Sequence, residues 1–151
     1  MNRSVHVNDL LADDAGPGGR LWAFLLLMAI RDKASSVHYH PWRADGPLSY
    51  IVDNVRHTLE PPHAEHAEMV VAAARSLIAP HRWLFADRRT TLGGSFALQF
   101  EGISVEWDVV CWSSGTRMGA EFFRVVPSTE ASHAEPAAAP GPASTQVSGA
   151  S

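Results

Sequence analysis

Two histidines separated by a single residue are the first candidates for chemistry in the sequence. His38 and His40 lie in a segment rich in β-branched and aromatic residues, which is typical of a strand. Side chains repeat every second residue along a strand, so both imidazoles face one side and could form half of a metal site. His57, His63 or His66 could supply a third ligand. Because the chain contains no H-E-x-x-H or comparable ligand pattern, we expect no bound metal and no cofactor.

Cysteine and carboxylate chemistry receives less support from the sequence. Cys111 has the same strand phase as Trp107 and Val109, which indicates a buried structural cysteine rather than a nucleophile. Glu106 and Asp108 have the opposite phase and could form an acid/base pair. Their alternation with Trp107 predicts instead that both carboxylates lie on a solvated sheet face.

ATP hydrolysis by a phosphate-binding loop is excluded by the lysine content. Lys33 is the only lysine, and it lacks the preceding glycines and the following Ser or Thr of the G-x-x-x-x-G-K-[ST] motif. We therefore expect no catalytic residues and no enzymatic activity.

The elements that must position these residues follow from the hydrophobic pattern. Helices are predicted over residues 20–33 and 61–79 because apolar residues there form a continuous run or recur every three to four residues. Asp53 and Asn54 tolerate positive φ, which predicts a two-residue turn in a hairpin. The predicted strands cover residues 37–42, 48–52, 55–59, 96–100, 103–111 and 120–126.

These elements predict an α+β fold and divide the chain into an N-terminal arm, one folded domain and a C-terminal tail. We expect two helices packed on a mostly antiparallel sheet of about five to six strands, in a PAS-like sandwich. Residues 1–19 end in Gly16-Pro17-Gly18-Gly19 and are predicted to be a flexible N-terminal arm. Residues 20–126 would form the domain. Residues 127–151, rich in Ala, Pro and Ser, would be a disordered tail.

Composition argues against nucleic acid and membrane as binding partners. The chain has 151 residues and a formal net charge of -4, whereas a nucleic-acid binder would have a basic surplus. Its longest strongly apolar run, residues 21–30, is far shorter than the roughly 20 residues of a membrane span. No signal-peptide pattern is evident. We therefore expect a cytoplasmic protein without direct membrane insertion.

Residues 20–126 resemble the domain that precedes the motor core in type II secretion and type IV pilus assembly ATPases (the GspE/PilB class). That domain has an apolar helix, an A-S-D-I-H-I-E-P segment, a V-R-Y-R-[IV]-D-G hairpin, and a Pro-Pro pair before a second helix. The matching positions in this sequence are Ala29-Ile30, Ala34-Ser35, Val37-His38, Pro41, Tyr50, Val52-Asp53, Val55 and Pro61-Pro62. The resemblance implies a structural role for His38.

The chain departs from this family at its arginines. In the family, arginines of this domain are expected to approach the nucleotide bound by the motor core, where the guanidinium fork suits phosphate. Their positions correspond here to Ser49, Ile51, Ser95 and Asp108, so no nucleotide-binding residues are expected. A motor core does not follow Val126 in the sequence given.

The resemblance and its departures imply a non-catalytic protein-interaction module. Its partner would be a secretion or pilus ATPase, or a second copy of the chain, and Trp42 and Arg43 are the candidate contact surface. One alternative is a sensory or adaptor α+β domain that binds a small ligand. Another is a small metal-dependent enzyme that uses His38, His40 and a carboxylate.

Overall fold

The computed structural model describes residues 3–78, 91–114 and 117–126. Its helices, apart from single 3-10 turns at Asp13–Ala15 and Ala64–His66, are α1 (Val7–Leu11), α2 (Gly16–Arg31) and α3 (Ala67–Ile78). Its strands are β1 (Arg3–His6), β2 (Ser36–Tyr39), β3 (Leu48–Val52), β4 (Val55–Leu59), β5 (Leu92–Phe100), β6 (Ile103–Ser114) and β7 (Arg117–Arg124). The predicted tail at residues 127–151 lies outside the described residues.

In the described part of the chain, seven strands form one sheet in the order β1-β5-β6-β7-β2-β3-β4. Strand β1 pairs with β5 in parallel, and every other neighbouring pair is antiparallel. The predicted α+β class with a mostly antiparallel sheet is confirmed. The sheet contains one strand more than we expected because β1 joins its edge.

The N-terminal segment differs from the flexible arm predicted for residues 1–19. Its apolar side chains Val5, Val7 and Leu10 are buried in the core, so β1 and α1 belong to the folded unit. Pro17 lies in the first turn of α2 rather than before the helix. A proline is accommodated there because the first helical N–H groups have no partner within the helix.

The hairpin lies where the sequence predicts it, whereas the second helix begins later than predicted. Asp53 and Asn54 have φ values of 51° and 66°, which confirms the predicted turn between β3 and β4. The helix predicted from residue 61 begins at Ala67, after a 3-10 turn.

Helices α2 and α3 pack on one face of the sheet around Trp22. Its ring centroid lies 4.5 Å from that of Phe122 in β7, and both side chains are fully buried. The Trp22 indole Nε1–H donates to the Val70 carbonyl of α3 at 2.8 Å, so the buried indole N–H is satisfied. One side chain thus joins the two helices to the middle of the sheet.

The two helices approach closely at Gly18. A Cβ added at Gly18 would lie 2.8 Å from Cβ of Ala73 and 3.1 Å from the Met69 carbonyl oxygen, both in α3. The first distance is below normal van der Waals contact, so a larger residue requires the helices to separate.

Overpacking usually costs about 1–3 kcal/mol, and the 2.8 Å approach of two Cβ atoms indicates a cost towards the upper end of that range. After the gain of about 1 kcal/mol in helix propensity, we predict that Gly18→Ala lowers the free energy of unfolding by about 1–2 kcal/mol. Urea denaturation followed by circular dichroism measures it. Gly93→Ala is a matched control, because its added Cβ would lie 3.8 Å from its nearest neighbour. A Gly18→Ala protein as stable as the wild type would contradict the close approach.

Candidate functional site

The candidate site lies on the sheet face away from α2 and α3, here called the outer face. Residues directly opposite each other in neighbouring strands share a face. Glu121 of β7 is opposite His38 of β2, which is opposite Ser49 of β3. The alternating residues Val37 and Phe122 point into the core. Strand alternation therefore places His38 and Glu121 side by side on the outer face.

A single carboxylate oxygen joins the two histidines. His38 Nδ1–H and His40 Nε2–H each lie in donating position 2.9 Å from Oε2 of Glu121. The Nε2 atom of His38 lies 2.8 Å from the Ser36 hydroxyl. The three side chains retain 17% (His38), 18% (His40) and 25% (Glu121) of their exposure, so the cluster is partly buried but reachable by solvent.

This His38–His40–Glu121 cluster has the composition of a metal site. One ligand atom from each residue lies within 4.8 Å of the others, and no other group of this kind occurs in the described ranges. Two imidazoles and a carboxylate are the ligands of catalytic zinc and of non-haem iron sites.

A turn after β2 holds His40 in place. The His40 N–H donates to the Pro47 carbonyl at 2.7 Å, and the His40 carbonyl accepts from the Arg43 N–H at 3.0 Å. Both backbone groups of His40 are therefore fixed, although the residue lies just beyond the strand.

Aromatic rings surround His40. Trp42 stacks on the imidazole with ring centroids 5.7 Å apart, and Trp112 meets it edge-on at 5.3 Å. The Arg117 guanidinium lies 5.1 Å from the Trp42 centroid, within range of a cation–π interaction. Gly119 provides the space for Trp112, because a Cβ there would lie 2.5 Å from the indole ring.

The structure separates the other predicted ligands from this cluster. His57 packs beside Tyr50, with ring centroids 5.4 Å apart, and these two residues share the core-side phase of Val37. His63 and His66 lie near each other at the 3-10 turn before α3, with ring centroids 6.4 Å apart. None of them joins His38 and His40.

Glu121 is the site residue that sequence reasoning missed. It is 83 residues from His38, so only the pairing of β2 with β7 brings them together. The available signal was a lone carboxylate between Ala120 and Phe122, in the otherwise uncharged stretch between the two arginines at the ends of β7.

The candidate contact residues differ in exposure. Trp42 is 45% exposed, whereas Arg43 is less exposed and is half-buried. Phe123, 39% exposed, adds a second aromatic side chain on the outer face, and its ring meets His38 edge-on at 5.7 Å.

The four positions that correspond to the family arginines also lie on the outer face. One row across the sheet contains three of them, and its members in order are Ser95, Asp108, Phe123, Ser36, Ile51 and Arg56. The fourth, Ser49, lies in the adjacent row opposite His38. The Arg56 guanidinium, at the end of the row, donates to the Gly46 carbonyl at 2.8 Å.

The environment of Cys111 and of the Glu106/Asp108 pair follows the predicted strand phase. Cys111 and Trp107 are fully buried, whereas on the opposite face Asp108 is exposed and Glu106 is half-buried. Burial raises the pKa of the Cys111 thiol to about 12, an effect that the Arg75 charge opposes only partly.

A cavity of about 340 Å³ lies between the start of α2 and α3. Its walls are largely apolar and include Pro17, Leu21, Pro62, Met69 and Val70. The volume is in the range of small-molecule sites, but such sites usually include several convergent polar groups. The lining contains one, an imidazole, and the cavity is remote from the outer face.

Comparison with known proteins finds a likeness in structure and none in sequence. No described protein family and no curated protein matches the sequence. Among solved structures, the chain is similar to the pilus retraction motor PilT with bound ADP, at 17% identity and a TM-score of 0.45. The match covers 69% of this chain and 28% of that one. The relation to the domain preceding the motor core stays a prediction.

Among the described helices, none combines the length and apolar character required to cross a membrane.

We predict that native Cys111 does not react with a thiol reagent at pH 8, because a buried thiol with a raised pKa forms almost no thiolate. Since Cys111 is the only cysteine, Ellman's reagent reports on this residue alone. The chain unfolded in guanidinium serves as the control and should release one equivalent of chromophore. Equal rates from native and unfolded protein would contradict the buried position.

A second prediction concerns the pH dependence of stability through Glu121. Burial raises the pKa of this carboxyl, but hydrogen bonds and charge from His38 and His40 outweigh burial, so the pKa is lowered overall. A carboxyl whose pKa is lowered by folding stabilises the protein above its ordinary pKa and loses this effect as the pH falls.

Glu121→Gln should therefore reduce the free energy of unfolding by about 1–3 kcal/mol at pH 7, with a smaller difference below about pH 4. Urea denaturation in the presence of a chelator measures both values. Glu101→Gln, at the exposed turn between β5 and β6, is a control for loss of one charge. A Glu121→Gln difference that grows towards acid pH would contradict the assigned hydrogen bonds.

Proposed function

We propose that this chain is a non-catalytic protein-interaction module, related to the domain that precedes the motor core in type II secretion and type IV pilus ATPases. Its partner is a secretion or pilus motor component, which it binds in the cytoplasm. The proposal rests on the sequence resemblance over residues 20–126 and on the surface chemistry of the outer face.

The order of elements supports the relation. In the described chain, an apolar helix leads into the strand with His38, then into a hairpin, a Pro-Pro pair, a second helix and three antiparallel strands. This is the order that the resemblance implies. The additional β1 extends the sheet beyond the expected fold.

The observation that carries the proposal is the change of chemistry at the family's arginine positions. All four lie on the outer face, and they are occupied by Ser49, Ile51, Ser95 and Asp108. Small, aliphatic and acidic side chains cannot form the bidentate phosphate contacts of arginine. The proposed surface therefore has no means of holding a nucleotide through these positions.

The same face exposes aromatic side chains suited to a protein partner. Trp42 and Phe123 are both more than a third exposed, and Arg117 lies against the Trp42 ring. Tryptophan, tyrosine and arginine contribute disproportionately to binding energy at protein interfaces. We place the contact surface on Trp42 and Phe123, with Arg117 beside them.

The double variant Trp42→Ala/Phe123→Ala should recover about tenfold less motor ATPase than wild type when the tagged full chain is used as bait in its native lysate. Loss of two aromatic anchors at an interface is enough for such a decrease. Quantitative mass spectrometry of the captured proteins measures the ratio.

Phe24→Ala is the matched control, because Phe24 is 64% exposed on α2, away from the outer face. Its recovery should equal that of the wild type. The proposal fails if no motor ATPase is captured under mild crosslinking, or if the bait captures only copies of itself. Equal losses for the control and the double variant would also contradict the assigned surface.

A further inference from the structure

We propose that His38, His40 and Glu121 bind one divalent transition-metal ion, with Zn²⁺ as the best match to the ligands. This inference rests on the geometry of the cluster and is independent of the proposed partner. It revises the expectation of no metal, which rested on the absence of a ligand motif in the sequence.

The positions of the ligand atoms fit one small ion. Both imidazole nitrogens lie 2.9 Å from the same Glu121 oxygen, and all three ligand atoms lie within 4.8 Å of one another. Tetrahedral Zn²⁺, with bonds of roughly 2.0–2.2 Å, holds its ligand atoms about 3.3–3.6 Å apart. Small rotations of the side chains suffice to convert the hydrogen-bonded cluster into a coordination sphere.

Ser36 gives His38 the outer hydrogen bond that a metal-binding histidine usually has. Coordination through Nδ1 of His38 leaves the imidazole proton on Nε2, and the Ser36 hydroxyl lies 2.8 Å from Nε2. The hydroxyl oxygen can accept a hydrogen bond from this N–H, just as the hydroxyl can donate one to Nε2 when the tautomer is reversed. Ser36 is itself buried, with 5% exposure, so the contact orients the ring in either state.

The framework around the cluster is rigid. His38 and Glu121 lie on adjacent, directly paired strands, and the backbone of His40 is held by hydrogen bonds on both sides. Trp42 and Trp112 confine the His40 ring. Ligands held on strands by packing and hydrogen bonds lose little freedom when a metal binds.

Three protein ligands leave a coordination position for solvent. The partial exposure of all three side chains allows water to reach the ion. Structural zinc sites usually have four protein ligands, whereas three ligands and a water are typical of an open site. The cluster is therefore assigned as an open site that can accept a water molecule or one further donor group.

Zinc binding is tested with the full chain, treated with EDTA and dialysed, then titrated with Zn²⁺ against a chromophoric chelator. Elemental analysis gives the stoichiometry. We expect one equivalent per chain in the wild type, and a Kd at least tenfold higher in His40→Ala and in Glu121→Gln. Loss of an outer-shell contact commonly costs 10–100-fold in metal affinity, so Ser36→Ala should weaken binding by about tenfold.

The double variant His57→Ala/His63→Ala is the matched control, because it removes two histidines that lie outside the cluster. It should retain the wild-type Kd. Circular dichroism establishes that each variant is folded. Titration with Co²⁺ adds a spectrum that reports the ligand geometry in the wild type.

The proposal is overturned if the folded wild type binds no Zn²⁺ stoichiometrically. It is also overturned if His40→Ala and Glu121→Gln bind as tightly as the control. Either result would make the cluster a purely structural set of hydrogen bonds. Neither result bears on capture of a motor ATPase, which depends on Trp42 and Phe123 and is measured without added metal.

Discussion

The pairing of β2 with β7 is the constraint on which the outer face depends. It joins β3 and β4 to the strands of the C-terminal half and puts Glu121 opposite His38. Phe122, the next residue, is fully buried beside Trp22. A slip of one residue would turn Phe122 out of the core, at a cost of about 1.5–3 kcal/mol for this side chain alone. Core packing therefore positions the cluster.

The two faces of the sheet differ in composition because successive side chains of each strand point to opposite faces. The face covered by α2 and α3 holds the large apolar side chains and gives the fold its stability. The outer face holds the two histidines, the glutamate, the exposed aromatic residues and Ser49, Ile51, Ser95 and Asp108. A change of function on this face can proceed with little effect on the core, because successive residues of each strand belong to different environments.

Much of this arrangement could be predicted from local patterns. Period-two alternation correctly put Cys111 and Trp107 in the core, and Asp53 and Asn54 identified the hairpin turn. Glu121 could not be assigned, since its partner is set by strand register across 83 residues. The edge strand β1 was also missed, because its four residues are mainly polar and a single buried valine gives no periodicity.

The proposed metal site depends on strand register, which brings His38, His40 and Glu121 together on the outer face. Anomalous diffraction at the zinc absorption edge, from crystals of the full chain grown with Zn²⁺, tests it most directly. We expect one strong peak roughly 2.0–2.2 Å from a nitrogen of each of His38 and His40 and from an oxygen of Glu121. A map with no peak at the cluster, or with zinc bound only at His57, His63 or His66, would contradict the claim.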